Sequence, residues 1–185
     1  MNTIQQLTVL FELIAAHIHE ALSMIAALWG IHILNIISGY RLNILGIIPR
    51  FVPSLLYGPF FSPLLHADAD HLFHNSIPLT MMLAILFSKG PEQAICILLT
   101  ISALTGALTW TFARKACHIG SSGVVMGLLG FFLYSAYFNT DVTSVLIGVV
   151  VLYYFGTLLL SVFPEDMKTS FEAHFFGLMS GIATS

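Results

Sequence analysis

The sequence predicts an all-α membrane protein: a polytopic bundle of six transmembrane helices with a long interfacial first loop. The first observation is composition, because 57% of the 185 residues are hydrophobic and only 8% are charged. Soluble domains have about 45–50% apolar and about 25% charged residues, and the mean hydropathy here is +0.92. The second observation is a series of apolar runs near the length of about 20 residues that crosses a bilayer core. Lipid is therefore the expected solvent for most of the chain.

Six apolar runs are candidate spans, and polar or helix-breaking residues separate them. They extend over residues 21–37, 71–87, 94–112, 120–138, 142–162 and 171–185. The second run ends before Lys89-Gly90-Pro91, the third at Arg114-Lys115 and the fifth at Pro164-Glu165-Asp166. The sixth run is still apolar at Ser185, so we expect this last span to be short and truncated.

Two further apolar segments are not expected to cross the membrane by themselves. The connection over residues 39–70 is rich in Leu, Ile and Phe, but its prolines lack a backbone N–H and oppose a continuous helix. These prolines are Pro49, Pro53, Pro59 and Pro63. We predict that this first loop lies in the membrane interface, and that residues 1–20 form an N-terminal interfacial segment or extend the first span. Residues 1–185 then form a single membrane domain.

Charge and cysteine content argue against several other classes of protein. The formal net charge of −3 is too small to favour a nucleic-acid partner or a polybasic membrane-surface segment. The two cysteines, Cys96 and Cys117, lie in or near one apolar run. We predict that they are buried thiols and not part of a disulfide or metal framework.

Polar clusters stand at the starts of the second, fourth and sixth spans, where such groups are costly and indicate function. The clusters are His66-Ala-Asp-Ala-Asp-His71-Leu-Phe-His74-Asn75, Gly120-Ser121-Ser122-Gly123 and Ala173-His174-Phe-Phe-Gly177-Leu-Met-Ser-Gly181. Because successive spans alternate in direction, all three starts lie at the same side of the membrane. The side chains of His71, Asn75, Ser122 and His174 are therefore expected near one leaflet.

Glycines favour a close approach of the fourth and sixth spans. Gly123, Gly127 and Gly130 lie on one face of the fourth span, and His174, Gly177 and Gly181 form one stripe on the sixth. Small residues let helix backbones approach closely. We expect this glycine seam to bring Ser122 within hydrogen-bonding reach of His174.

The converging residues suit nucleophilic catalysis. A serine hydroxyl becomes a nucleophile when a neighbouring base takes its proton, and histidine has a suitable pKa near neutrality. Ser122 and His174 fit these roles as a dyad without an aspartate. The Asn75 amide, a His71 N–H and the Ser122 backbone N–H are candidate donors to an oxyanion, aided by the positive end of the helix dipole. If the register is wrong by one residue, Ser121 is the alternative nucleophile.

In these motifs the sequence resembles the rhomboid family of intramembrane serine proteases. The matching pieces are Ile-Pro49-Arg50 in the first loop, His66-x4-His71-Leu-x-x-Asn75, Gly120-x-Ser122-Gly123 and Ala173-His174-x-x-Gly177-x-x-x-Gly181. The resemblance implies that Ser122 is the nucleophile and His174 the general base, and that His71 and Asn75 line the oxyanion hole. The implied structural residues are His66, Gly120, Gly123, Gly127, Gly177 and Gly181.

The resemblance also implies cleavage of transmembrane protein substrates near the extracytoplasmic face of a bacterial inner membrane, without a metal or cofactor. Two features depart from the family pattern. The family often has an aromatic residue four positions after the nucleophile, where this sequence has Met126. The family orientation also places five of the six basic residues outside the cytoplasm, which contradicts the positive-inside rule.

Two other functions remain open at this point. The cluster of His66, Asp68, Asp70, His71 and His74 contains imidazole and carboxylate groups of the kind that bind zinc or iron. Asp68 and Asp70 fit equally well as a polar turn that caps the second span. The alternatives are therefore a metal-dependent membrane enzyme and a non-catalytic relative that binds membrane helices, although such relatives typically lack the serine or the histidine.

Overall fold

The computed structural model describes residues 3–139, 141–163 and 170–185. Its helices are α1 (Thr3–Ala16), α2 (Ile18–Ile37), α3 (Val52–Phe61), α4 (Ala69–Phe87), α5 (Pro91–Phe112), α6 (Ser122–Phe138), α7 (Val142–Phe155) and α8 (Phe171–Thr184). Short 3₁₀ segments extend over Arg41–Leu45, Ser62–Leu64 and Gly156–Val162. Among the described residues, the extended backbone pairing is confined to a bridge between Ile47 and His118. The predicted all-α class is confirmed.

Three helical segments are long and apolar enough to cross a bilayer: Ile4–Ile37, Pro91–Phe112 and Val142–Val162. The first of these contains 34 residues and joins α1 to α2 with only a turn at His17 between them. Helix α1 therefore continues into α2 through this turn, and the assignment of residues 1–20 to an interfacial segment or to the first span stays a prediction. Helix α6 is also apolar, but its 17 residues reach only about 25 Å at 1.5 Å per residue. The count of six spans stays a prediction.

Several helices begin a few residues from the predicted boundaries, for local chemical reasons. Helix α4 begins two residues early because the Asp68 carboxylate caps it and accepts a hydrogen bond from the His71 backbone N–H at 2.7 Å. Helix α5 begins at Pro91. A backbone N–H in the first turn of a helix has no acceptor within the helix, so proline, which lacks this N–H, is tolerated there. Helix α6 begins two residues late because Gly120 has a φ of +122° and cannot belong to a right-handed helix.

The proline-rich connection is more helical than its sequence predicts. Helix α3 contains Pro53 in its first turn, where a proline is tolerated, and Pro59 near its end. Pro59 packs on Gly106 of α5, where any Cβ would collide with the proline ring. Trp110 of α5 donates its indole N–H to the carbonyl of Phe51 at 2.9 Å. These contacts hold the connection against the helix bundle.

Helix α6 lies at the centre of the bundle, in contact with α4, α5, α7 and α8. Its buried apolar side chains are Val124, Val125, Met126, Leu128, Leu129, Phe131 and Phe132. Helix α8 lies close to it because Gly177 faces the backbone of Gly123 and Gly181 faces that of Gly127. A Cβ on either α8 glycine would overlap the opposite carbonyl group. This approach positions the start of α8 beside the start of α6.

The prediction that both cysteines are buried was wrong, because Cys96 and Cys117 are exposed free thiols. Cys96 lies on α5, a helix that buries only one face in the bundle. Cys117 lies in the loop that precedes α6.

Candidate active site

The N-terminal ends of α4, α6 and α8 surround one cavity of about 650 Å³. Its lining includes Asp68, Asp70, His71, His74, Asn75, Cys117, His118, Ser122, Ser170 and His174. The four residues singled out from the sequence as nucleophile, base and oxyanion donors are all in this set. The three polar clusters are thus brought together at one end of the bundle.

Ser122 is the first residue of α6 and follows a sharp change in backbone direction at Gly120. A Cβ on Gly120 would lie 2.8 Å from Cε1 of His71 and 3.7 Å from the Ser122 hydroxyl oxygen. Glycine at this position therefore meets two requirements, a left-handed φ and a close approach of the backbone to the His71 ring. The Ser122 side chain is half-buried at the wall of the cavity.

Ser121 has a different environment from its neighbour. Its hydroxyl is 3.1 Å from Nε2 of His66, and its backbone N–H donates to the same nitrogen at 3.2 Å. Both side chains are buried, and Ser121 does not line the cavity that contains Ser122. Burial lowers the pKa of His66 to about 3, so this imidazole is neutral at physiological pH. The hydrogen bonds between His66 and Ser121 connect the loop before α4 to the start of α6.

His174 lies one turn into α8 and is 9% exposed. Its Nδ1 is 3.0 Å from the carbonyl oxygen of Ser161. A carbonyl only accepts, so Nδ1 carries the proton and the neutral ring keeps a lone pair on Nε2. Glu172 does not take part, since its carboxylate accepts from the Arg114 backbone N–H and lies 3.6 Å from that guanidinium. Within the described residues, no direct hydrogen bond joins Ser122 to His174.

Met126 occupies the position where an aromatic residue was expected. Its side chain is buried, and its sulfur lies 3.8 Å from the Ser161 hydroxyl, which donates its proton to the Leu158 carbonyl at 2.6 Å. Ser161 therefore contacts both Met126 and His174.

The two candidate oxyanion donors lie on α4, one turn apart. Asn75 is 8% exposed, and its side-chain amide nitrogen has no hydrogen-bond acceptor in the described part of the protein. An unpaired buried amide donor is costly, and this one belongs to a residue that lines the cavity. His71 lies with its ring centroid 5.2 Å from that of His66. The cavity that Ser122 lines thus also contains a hydrogen-bond donor without a partner.

A second, smaller cavity of about 30 Å³ also reaches Ser122. It lies between α5 and α6 and is lined in part by Thr105, Thr109 and His118. Both threonine hydroxyls are buried without a hydrogen-bond partner in the structure as described. The sequence alone does not indicate a role for these threonines. A threonine hydroxyl in an apolar helix commonly donates a hydrogen bond to a backbone carbonyl of the same helix, so its presence does not point to a function.

Two more residues at the site were missed for different reasons. Ser161 acts through its backbone carbonyl, which no residue type encodes. Ser170 caps α8 and lines the cavity, and a serine directly before a predicted helix is a recognisable capping signal.

The candidate metal ligands do not form a set: among the residues that the structure describes, no three His, Cys, Asp or Glu side chains are arranged to hold an ion.

Comparison with known proteins identifies relatives of the chain. The family model described as "Rhomboid domain" matches residues 53–185. Uncharacterized protein Rv1337 of Mycobacterium tuberculosis is 31% identical over 173 residues, which cover 89% of this chain and 72% of that protein. Uncharacterized protein ML1171 of Mycobacterium leprae is 28% identical over 174 residues, which cover 89% of this chain and 68% of its own length.

Proposed function

The chain belongs to the rhomboid family, and from this premise we propose that it is an intramembrane serine endopeptidase with Ser122 as nucleophile and His174 as general base. The observation that carries the proposal is the cavity at the ends of α4, α6 and α8. It contains a half-buried serine, a histidine with its Nε2 lone pair free, and an amide donor without a partner.

The proposed reaction begins when Nε2 of His174 takes the proton of the Ser122 hydroxyl. The oxygen attacks a peptide carbonyl, and the negative charge on the tetrahedral intermediate is stabilised by the Asn75 amide, a His71 N–H and the backbone N–H of Ser122. His174 then returns the proton to the leaving amine, which leaves an acyl-enzyme on Ser122. The Ser161 carbonyl holds the Nδ1 proton and so keeps the imidazole in the required tautomer.

Hydrolysis of the acyl-enzyme needs water at Ser122. The larger cavity supplies the route, and the smaller one, of about 30 Å³, offers room for about two water molecules, since about 10–15 Å³ holds one. The unpaired hydroxyls of Thr105 and Thr109 provide polar partners there. His174 activates a water from these cavities as it activated Ser122 before.

The finer features of this proposal come from the family. We place residues 1–185 in one domain of six spans in a bacterial inner membrane, with the N-terminus in the cytoplasm and the cavity on the extracytoplasmic side. The partners are membrane lipid and transmembrane protein substrates, and the reaction needs no cofactor. The apolar exposed surfaces of α5 and α7 support a lipid environment.

The experiment is cleavage of a reporter with one transmembrane segment in proteoliposomes, with the cut site identified by mass spectrometry. We expect cleavage by the wild type and its loss in Ser122→Ala and His174→Ala. Ser135→Ala is the matched control, because Ser135 is a buried serine on the same helix that does not line the cavity. Cleavage that persists in the Ser122 variant would contradict the proposal.

A further inference from the structure

His118 is a buried histidine that the proposed reaction does not use. It lies in the loop between α5 and α6 and is 4% exposed. Its backbone is fixed on both sides by Ile47, since the His118 N–H donates to the Ile47 carbonyl at 2.8 Å and the Ile47 N–H donates to the His118 carbonyl at 3.0 Å. The sequence suggests only interface or packing for this residue, whereas the structure gives it a defined set of partners.

Both ring nitrogens of His118 are hydrogen-bonded. Nε2 is 3.0 Å from the Arg114 carbonyl, which only accepts, so Nε2 carries the proton. Burial lowers the pKa of His118 and keeps the ring neutral near pH 7. Nδ1 is then an acceptor, and the Ser170 hydroxyl donates to it at 2.6 Å. This is a short contact between two segments that are 52 residues apart in the chain.

Ser170 connects His118 to the catalytic helix. The Ser170 hydroxyl oxygen accepts from the Ala173 backbone N–H at 3.4 Å, and its carbonyl accepts from the His174 backbone N–H at 3.2 Å. The same residue is therefore the cap of α8 and the hydrogen-bond partner of His118. The start of α8, and the imidazole of His174 one turn later, are linked through Ser170 to a loop that is itself fixed by Ile47.

We propose that His118 is a positioning residue for catalysis: through Ser170 it fixes the start of α8, and so places the His174 imidazole opposite Ser122. The inference rests on the proposed function. Glycine contacts hold α8 against α6 further along the helix, at Gly177 and Gly181. The start of α8 is not held by a glycine pair among the residues described. The hydrogen bonds from His118 through Ser170 fix this end of the helix.

The test compares kcat and KM for cleavage of the reporter by His118→Ala, Ser170→Ala and the double variant. A base displaced by a fraction of an ångström slows the chemical step, so we expect kcat to fall by about tenfold or more with KM nearly unchanged. Because the two residues act through one link, the double variant should be no slower than the slower single variant. His118→Asn keeps an acceptor near Nδ1 and should restore kcat to within about threefold.

The control is His32→Ala, which removes an equally buried histidine on α2 that has no hydrogen-bond partner in the described structure. Whatever its effect on thermal stability, this variant should keep kcat within about twofold of wild type. A kcat within twofold of wild type in folded His118→Ala and Ser170→Ala, or a purely additive double variant, would overturn the inference. Failure of the proposed function is distinguishable, because cleavage would then be independent of Ser122.

Discussion

Two serine–histidine pairs meet at the start of α6, and they differ in access and in hydrogen bonding. Ser121 and His66 are buried and already hydrogen-bonded at 3.1 Å. Ser122 and His174 line a cavity of about 650 Å³ and are not bonded to one another in the described structure. The two serines thus have opposite environments, although they are consecutive in the chain.

The difference shows that a serine–histidine hydrogen bond does not by itself identify a nucleophile. Nε2 of His66 accepts the Ser121 backbone N–H, and its pKa of about 3 makes it too weak a base near neutral pH. Nε2 of His174 remains free because Nδ1 donates to the Ser161 carbonyl. We therefore propose that catalysis belongs to the second pair, which lines the cavity and has a free lone pair on Nε2, and that the first pair holds the start of α6 in place.

The largest expected effect separates the two serines. Ser122→Ala should lower turnover by about 10⁴-fold or more, because the nucleophile is removed. Ser121→Ala should keep turnover within about tenfold of wild type and lower stability by about 1 kcal/mol, the typical value of one hydrogen bond. Reporter cleavage and thermal unfolding of both variants measure this. If the Ser121 variant lost as much activity as the Ser122 variant, the assignment of the pairs would be wrong.

A smaller effect is expected at the oxyanion donor. Asn75→Ala removes the unpaired amide donor of the cavity and should lower kcat by about 10²-fold with little change in KM. Asn139→Ala is the control, since Asn139 is exposed at the far end of α6. Steady-state kinetics on the reporter distinguish the two, and an unchanged kcat in Asn75→Ala would remove this residue from the oxyanion hole.

The smallest effect concerns the pH dependence of stability. The pKa of His66 is about 3 in the folded protein against an ordinary value of 6.5, so below pH 6.5 the unfolded chain binds a proton that the folded protein does not. Stability should therefore fall as the pH decreases from 6.5 towards 3, by at most about 1.4 kcal/mol per pH unit from this group. His66→Gln keeps an acceptor for the Ser121 N–H and should show a weaker fall.

The measurement is the thermal unfolding midpoint in detergent at pH 7.5, 6 and 5 for the wild type and His66→Gln. Both proteins should lose stability at low pH, because burial also lowers the pKa of His118, but the wild type should lose more. Equal slopes would show that His66 is not a buried neutral partner of Ser121.

The fold class and the position of the site follow from the sequence for simple physical reasons. Low charge and long apolar runs predict a lipid environment, and alternation of direction along the predicted spans places the starts of α4, α6 and α8 at one end. Helix α3 was not predictable in the same way, because its prolines oppose a helix, whereas its packing on α5, where Pro59 lies against Gly106, joins residues 47 positions apart. The exposed Cys96 was missed since composition does not say which helix face lies outward.

Within the site, side-chain chemistry was readable and backbone chemistry was not. Ser122, His174, His71 and Asn75 stand out because polar groups are rare in apolar runs. Nδ1 of His174 donates to the backbone carbonyl of Ser161. Every residue has a backbone carbonyl, so the residue type does not indicate this role. The link from His118 to Ser170 joins two loops whose proximity depends on the packing of α8 against α6. Such contacts arise from tertiary structure alone.

The most direct test of the central claim is fluorophosphonate labelling of the detergent-solubilised protein, with the modified residue identified by mass spectrometry. We expect an adduct on Ser122. This adduct should be absent in folded His174→Ala and should still form in folded His66→Gln. An adduct on Ser121, or a Ser122 adduct that forms equally well without His174, would contradict it.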